Sequence, residues 1–301
     1  MGQTPPRAIS VQAHAKINLG LQVVGRRTDG YHELATVLQT VALADTVTAS
    51  DHPTIDGAPS IPGLAWEADL VMRAAHALAA RVRPGRGALL RTDKRIPVAA
   101  GMGGGSSDAA ATLVALTDLW GTERRVLPEI GASLGTDVPF FLWGGTALAT
   151  GRGERIEPLP AAPMRWVVLA KVEDEIATAA AYRALQPQEW SDGATTRALA
   201  LALQRGNLPA GLMRNDLTGP ALRLAPAIAP VLAALQAAGA APAQVTGSGP
   251  TCFGLFRDET AARAAELKLR RPGLWTAVTW FQLAGALTPP DHLPTIGIIG
   301  E

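Results

Sequence analysis

The sequence predicts an α+β protein of two domains, spanning residues 1–160 and 161–301. Three observations carry that expectation. The first fifty positions alternate apolar and polar residues and are rich in β-branched side chains, and helical patterns and further strands follow in turn. Three prolines crowd the stretch "RIEPLPAAP" (155–163), which has the composition of a linker. Beyond it a strand, helices, a pair of short strands, a capped helix and a last strand make a second two-layer unit with an antiparallel sheet, close to a split βαβ arrangement. A length of 301 residues suits two ordinary domains.

The elements follow in order. Residues 9–24, "ISVQAHAKINLGLQVV", alternate as one or two strands, and the Asp-Gly of "RRTDGYHEL" signals a turn. "ATVLQTVALADTVTAS" returns to strand, and "PTIDGAPSIPG" reads as a loop. Leu70, Ala74, Leu78 and Val82 share one face of an amphipathic helix that starts near Asp69. "GALLRTDKRIP" is a strand ended by Pro97. After a glycine-rich stretch, a helix beginning near Asp108 places Leu113, Leu116 and Trp120 on one face, with Gly121 as its stop. "VLPEIGASLG" is a shorter helix, and "TDVPFFLWGGTALATGRGE" is a turn leading into strand.

In the second half "RWVVLAKV" is a strand and "IATAAAYRALQ" opens a helical region. "APAIAPVLAALQAAG" and "DETAARAAELKLR" are helices, the second capped by its aspartate. "AQVTGSGPTCFGLF" is two short strands around a glycine turn, and "LWTAVTWFQL" is the final strand. The tail "TPPDHLPTIGIIGE" shows no clear element.

Composition narrows the function. With 27 Lys plus Arg against 26 Asp plus Glu, the net charge of +1 provides no field for capturing nucleic acid or an acidic membrane. Any anion site must be local. The single cysteine, Cys252, cannot form an internal disulfide and reads as a small buried strand residue, which favours a reducing compartment and excludes a cysteine-based zinc cluster. "MGQTPPRAIS" lacks the apolar core of a signal peptide, and no apolar run reaches the ~20 residues of a membrane span. The expectation is a soluble cytoplasmic protein, as a monomer or weak homodimer.

"GMGGGSSDAA" (101–110) is the stretch richest in chemistry. It lacks the Gly-Lys-Ser/Thr of a P-loop and does not complete a dinucleotide G-x-G-x-x-G. Gly101, Gly103, Gly104 and Gly105 would let the backbone approach an anion closely. Ser106 and Ser107 would add hydroxyls, and the following helix would aim its free amides and dipole at the loop, with Asp108 also explained by that dipole. Taken alone, the stretch reads equally as a glycine-rich turn capped by serine. Lys16 and Asn18 lie two apart on one face of an apolar strand, where a buried lysine needs an anionic partner, although an edge lysine in water fits as well. Asp137, between a glycine turn and the apolar run Val138–Phe141, is either a cap or a reactive carboxylate. A phosphate cradle, a lysine and an aspartate together are what phosphoryl transfer requires.

"PVAAGMGGGSSDAA", from Pro97, resembles the ATP-binding signature of the GHMP kinases. Its extra glycine, together with "AKINLGLQVVGRRTDGYHEL", "GTDVPFFLWGG", "GRGERIEPL", "NDLT" from Asn215 and "VTGSGPTCFGLF", resembles the 4-diphosphocytidyl-2-C-methyl-D-erythritol kinase branch, in matching order from about residue 13 to about residue 256. The resemblance implies an N-terminal domain like the second domain of ribosomal protein S5, carrying the ATP site and the catalytic pair, and a ferredoxin-like C-terminal domain. It implies transfer of the γ-phosphoryl of ATP, with Mg²⁺, to the 2-hydroxyl of the cytidine diphosphate methylerythritol in non-mevalonate isoprenoid synthesis. Kinases of the homoserine or mevalonate type and a related decarboxylase are the alternatives; those branches are not expected to carry "DGYHEL". Lys16 and Asp137 would be the catalytic pair. Pro97, Val98, Ala99, Ala100, Gly101, Met102, Gly103, Gly104, Gly105, Ser106 and Ser107 would bind ATP. Asn18, Tyr31 and His32 would meet the substrate, with Tyr31 stacked on cytosine and Tyr182 closing a sandwich. "TGSGPT" would cover the phosphates. Asp69 replaces an asparagine common in the family, which loses an amide donor and leaves a helix cap. The resemblance names no metal ligand.

Overall fold

A computed structural model describes residues 7–61, 63–82 and 85–282. The tail "TPPDHLPTIGIIGE" and the first six residues lie outside that range. The fold begins with a long antiparallel hairpin of β1 (Ala8–Arg26) and β2 (His32–His52), in register from Ala8↔Ser50 to Arg26↔His32. The alternation over residues 9–24 is therefore one strand, interrupted by register shifts between His14 and Lys16, Asn18 and Gly20, and Val23 and Gly25. Such bulges bend a strand and re-aim its side chains.

The other edge of β2 is shared. β4 (Gly87–Asp93) pairs with Thr46–His52, and β5 (Thr146–Gly151) pairs with Leu34–Gln39. Two short strands extend the sheet: β3 (Ile55–Gly57), parallel to β4, and β6 (Arg155–Leu159), antiparallel to β5. Both correct the sequence reading. The loop "PTIDGAPSIPG" contains β3. The proline-rich "linker" opens as β6, where Pro158 is tolerated because an edge strand has no further ladder to donate to.

Helices α1 (Leu70–Val82), α2 (Gly104–Trp120), α3 (Leu127–Leu134) and α4 (Val138–Trp143) pack on this sheet in one apolar core. α2 is central and buried almost all round, against β1 and β2 on one side and the other three helices on the other. It begins four residues before Asp108, where the expected start lay, because Gly103 closes the loop in the left-handed region (φ 72°). Gly121 ends it in the same conformation (φ 64°), as its position predicts. "VPFFLW", read as a turn into strand, is α4. Pro139 fits its first turn, and the aromatic residues that suggest strand are buried among helices instead.

The second sheet is fully antiparallel: β7 (Trp166–Val172), β8 (Ala243–Val245), β9 (Thr251–Phe256) and β10 (Leu274–Trp280), in the order β10-β7-β9-β8. That order is the split βαβ, ferredoxin-like arrangement. α8 (Ile228–Ala237) and α9 (Glu259–Leu269) cover one face, and Asp258 caps α9 through the Ala261 amide at 2.8 Å. Three helices, α5 (Thr178–Ala184), α6 (Ala194–Gln204) and α7 (Thr218–Leu224), fill the segment between β7 and α8. α6 and α7 were not individually foreseen. Leu199 and Leu203 of α6 join Ile17, Leu19 and Val37 of the first sheet and Val167, Leu169 and Phe253 of the second in a shared apolar core. The two sheets are thus joined by packing, and the site lies along that seam.

Candidate active site

A cavity of about 1310 Å³ opens between the sheets. It exceeds the usual range for a single small ligand, so it has room for two. Lys16, Asn18, Tyr31, His32, Asp137 and Tyr182 all line it, as does the stretch from Pro97 to Ser106. Those residues are up to 166 positions apart in the chain, between Lys16 and Tyr182.

At one wall Met102 carbonyl accepts the Lys16 amide at 3.0 Å, tying the glycine loop to β1. Gly101 and Gly103 have φ of 69° and 72°, which favours glycine. They also lack room for a side chain. A Cβ on Gly103 would stand 2.6 Å from Phe141 Cζ, and one on Gly101 would stand 2.7 Å from the Thr246 carbonyl oxygen. The first-turn amides of α2, at Gly104, Gly105 and Ser106, have no carbonyl of the helix to bond, and these three residues line the cavity. Ser107 departs from expectation. It is fully buried, and its hydroxyl donates to the His14 carbonyl at 2.7 Å, because its place in the first turn faces β1.

Lys16 is buried, and its Nζ donates to Asn18 Oδ1 at 2.7 Å. Asp137 Oδ2 stands 4.0 Å from the same nitrogen, and that carboxylate is 36% exposed to the cavity. Burial pushes the Lys16 ammonium below its ordinary pKa, and the Asp137 charge opposes that shift. Asp137 precedes α4, whose N-terminal turn fixes its position.

Sequence reasoning missed a second lysine. Lys94 Nζ lies 3.4 Å from where a Cβ on Gly104 would stand, so lysines flank the loop on both sides. It bonds Asp45 at 2.5 Å and Asp108 at 2.6 Å. The signal was its place between a strand and the glycine stretch, in "TDKRIP". Asp108 is buried, with one oxygen unpartnered, and burial raises its pKa to about 7 against the pull of Lys94. Its role is this buried cluster, beyond any complement to the helix dipole. Asp69 caps α1 through the Val71 amide at 2.9 Å and also holds the Ser60 amide.

Part of the cavity lining is aromatic. The His32 and Tyr182 rings stack at 5.0 Å with 23° between planes, and Trp190 meets His32 edge-on at 6.3 Å. Tyr31 is 55% exposed, and the Arg152 guanidinium sits 5.0 Å above its ring. Tyr31 and Tyr182 therefore stand on the same cavity, each with one face covered by a side chain of the protein. Arg152 and Trp190 were not foreseen: Arg152 lies in "GRGERIEPL", where no role attached to it, and Trp190 stands in no recognisable local pattern. Burial and the Arg26 charge lower the His32 pKa, and burial raises that of Tyr182.

The "NDLT" motif holds the seam. Asn215 donates to the Val245 and Gly247 carbonyls at 2.9 and 2.8 Å, and Asp216 accepts from the Val23 amide at 3.0 Å and the Ser191 hydroxyl at 2.6 Å. In "TGSGPT", Ser248 reaches Thr178 at 3.2 Å across the cavity rim.

Comparison with known proteins gives the family of the chain. Residues 69–145 match the GHMP kinases N terminal domain and residues 198–273 the GHMP kinases C terminal domain. A 4-diphosphocytidyl-2-C-methyl-D-erythritol kinase of Gloeobacter violaceus is 41% identical over 292 residues, covering 93% of this chain and 97% of that protein. One from Pelotomaculum thermopropionicum is 42% identical over 273 residues, covering 87% and 94%. A crystal structure of 4-(cytidine 5'-diphospho)-2C-methyl-D-erythritol kinase superposes with a TM-score of 0.80 at 37% identity, covering 91% of this chain and all of that one. A homoserine kinase from Cytophaga hutchinsonii shares the fold, with a TM-score of 0.71 at 18% identity. The chain belongs to the GHMP kinases and, within them, to the family of 4-diphosphocytidyl-2-C-methyl-D-erythritol kinases.

Proposed function

We propose that this chain transfers the γ-phosphoryl of ATP to the 2-hydroxyl of 4-diphosphocytidyl-2-C-methyl-D-erythritol. One observation carries the reading. A buried lysine, a carboxylate and a glycine-rich helix N-terminus line one cavity together with a cluster of aromatic rings. The lysine, carboxylate and loop suit a phosphoryl group and an attacking hydroxyl. The aromatic rings suit a nucleobase, which homoserine and mevalonate lack.

Asp137 orients the acceptor hydroxyl and takes its proton as the oxygen–phosphorus bond forms and the bond to the departing ADP oxygen breaks. The Lys16 ammonium stabilises the charge gathering on the migrating group. The free amides of Gly104, Gly105 and Ser106 hold the nucleotide phosphates. Tyr31 offers a stacking face to cytosine, and Tyr182 a second once His32 turns aside to bond the base edge. Bound nucleotide supplies the phosphoryl group, and Mg²⁺ would add Lewis-acid charge there. Among the described residues no three His, Cys, Asp or Glu side chains form a metal cage. The cavity wall fits a metal held mainly by phosphates and water, with Asp137 as its one carboxylate among the described residues.

Among the described residues no helix is long and apolar enough to cross a membrane. We place the enzyme in the cytoplasm, where a buried free Cys252 stays reduced. An ATP-consumption assay with the cytidylylated methylerythritol, homoserine and mevalonate tests the reading. Turnover with the first alone supports it, and turnover only with either of the others overturns it.

A further inference from the structure

Lys16 has a long, freely rotating stem, yet its charge must be aimed within a fraction of an ångström to act on a migrating phosphoryl group. The Asp137 oxygen at 4.0 Å is too far to fix it by a hydrogen bond. Among the described residues the one hydrogen bond that Nζ makes goes to Asn18 Oδ1. The aim of Lys16 is therefore set by whatever fixes the Asn18 amide.

Two hydroxyls fix it. Asn18 Nδ2 donates to Thr36 Oγ1 at 2.9 Å, and the Thr36 hydroxyl donates in turn to the Gly20 carbonyl at 2.7 Å. On the other side, across the seam, Thr246 Oγ1 accepts the Asn18 backbone amide at 3.1 Å and donates to Asn18 Oδ1 at 3.2 Å. That last bond turns the amide oxygen toward Lys16, because a lysine can only donate. Thr246 is itself held. Asn215 bonds the carbonyls on either side of it, at Val245 and Gly247, and the Thr246 amide donates to Thr251 at 3.0 Å. Gly247 (φ 57°) presses so close that a Cβ there would stand 3.4 Å from Lys16 Nζ and 2.9 Å from the Gly101 carbonyl oxygen. One turn of the second sheet thus touches the lysine, its amide partner and the glycine loop.

We propose that Thr246 is a positioning residue for Lys16, acting through Asn18 from a turn that Asn215 holds in place. The second sheet thereby takes part in phosphoryl transfer without touching the migrating group. This rests on the proposed role of Lys16, so its test includes a measurement made without substrate. In full-length protein carrying ¹³Cε-lysine, the Lys16 signal is assigned by its loss in Lys16→Arg. Thr246→Val is expected to shift that signal, and Thr246→Ser, which keeps the hydroxyl, to restore it. In turnover, Thr246→Val is expected to lower kcat at least ~10-fold while the KM for ATP stays within about threefold, since small misplacements cost rate more than binding. Thr246→Ser is expected to recover most of the rate.

An unshifted Lys16 signal in folded Thr246→Val overturns the proposal whatever the acceptor is. So does a Thr246→Ser variant as impaired as Thr246→Val. If melting shows that the valine variant does not fold, Thr246→Ala carries the same comparison. A shifted and restored signal upholds the positioning role even if the acceptor panel rejects the proposed substrate.

Discussion

Lys16 Nζ and Asp137 Oδ2 stand 4.0 Å apart, face to face across the wall of the cavity. The separation is short enough for each charge to feel the other and too long for a hydrogen bond. An acceptor oxygen placed between them would meet the carboxylate as its proton leaves and the ammonium as its charge develops.

Replacing the carboxylate separates chemistry from binding. Asp137→Asn keeps the shape and removes the proposed base, so turnover is expected to fall at least ~10²-fold. ATP affinity, measured by calorimetry, is expected to stay near that of the parent, because the amides of α2 are untouched. Unchanged turnover would remove Asp137 from the mechanism.

The pH profile reports on the lysine. Burial lowers the Lys16 pKa, so its charge, and the rate that depends on it, is lost as pH rises through a value below that of an ordinary lysine. Asp137 opposes that shift. The alkaline limb of the residual activity of Asp137→Asn is therefore expected at lower pH than in the parent. A limb that stays in place or moves upward would show that Lys16 does not set it.

The aromatic lining should govern the acceptor. Tyr31→Ala is expected to raise the KM of the cytidine-bearing acceptor ~5-fold or more, in line with ~1–3 kcal/mol per stacked base. The KM of ATP should change much less. The opposite pattern would place Tyr31 at the nucleotide donor.

Asp108 links stability to pH. Its folded-state pKa of about 7 stands above the ordinary aspartate value. The stability tied to its proton is complete below that ordinary value and is lost as pH rises through about 7. Asp108→Asn mimics the protonated form while leaving Lys94 its bond to Asp45. Thermal melting should show the variant above the parent at pH 8, with the gap closing toward pH 5.

Gly103→Ala tests the loop itself. A methyl group there meets Phe141 Cζ at 2.6 Å with φ at 72°, so a cost of about 1–3 kcal/mol is expected from backbone strain, before any shift of Phe141. Denaturant unfolding measures it. A parent-like midpoint would mean that the close approach is relieved at no cost.

Local pattern determined a good deal of this protein. The alternation of β1, the amphipathic face of α1, the cap of α9 and the stop at Gly121 are short-range signals, and each was legible in the sequence. So was the kinase family, because the glycine loop, "DGYHEL" and "NDLT" are short local stretches that resemble that family's motifs. Tertiary structure decided what those signals become. "VPFFLW" is a helix and "RIEPL" a strand because of the neighbours they bury against or pair with, which no window of sequence contains. Ser107 turns its hydroxyl to His14 rather than to the cavity, and Lys94 joins the glycine loop, because of where α2 begins and how it lies on β1. Lys16 takes its aim from Asn18 two residues away, which the sequence could suggest. Of the two hydroxyls that hold the Asn18 amide, the one bonded to its oxygen belongs to Thr246, 228 positions further on, and only the packing of the two sheets brings it there.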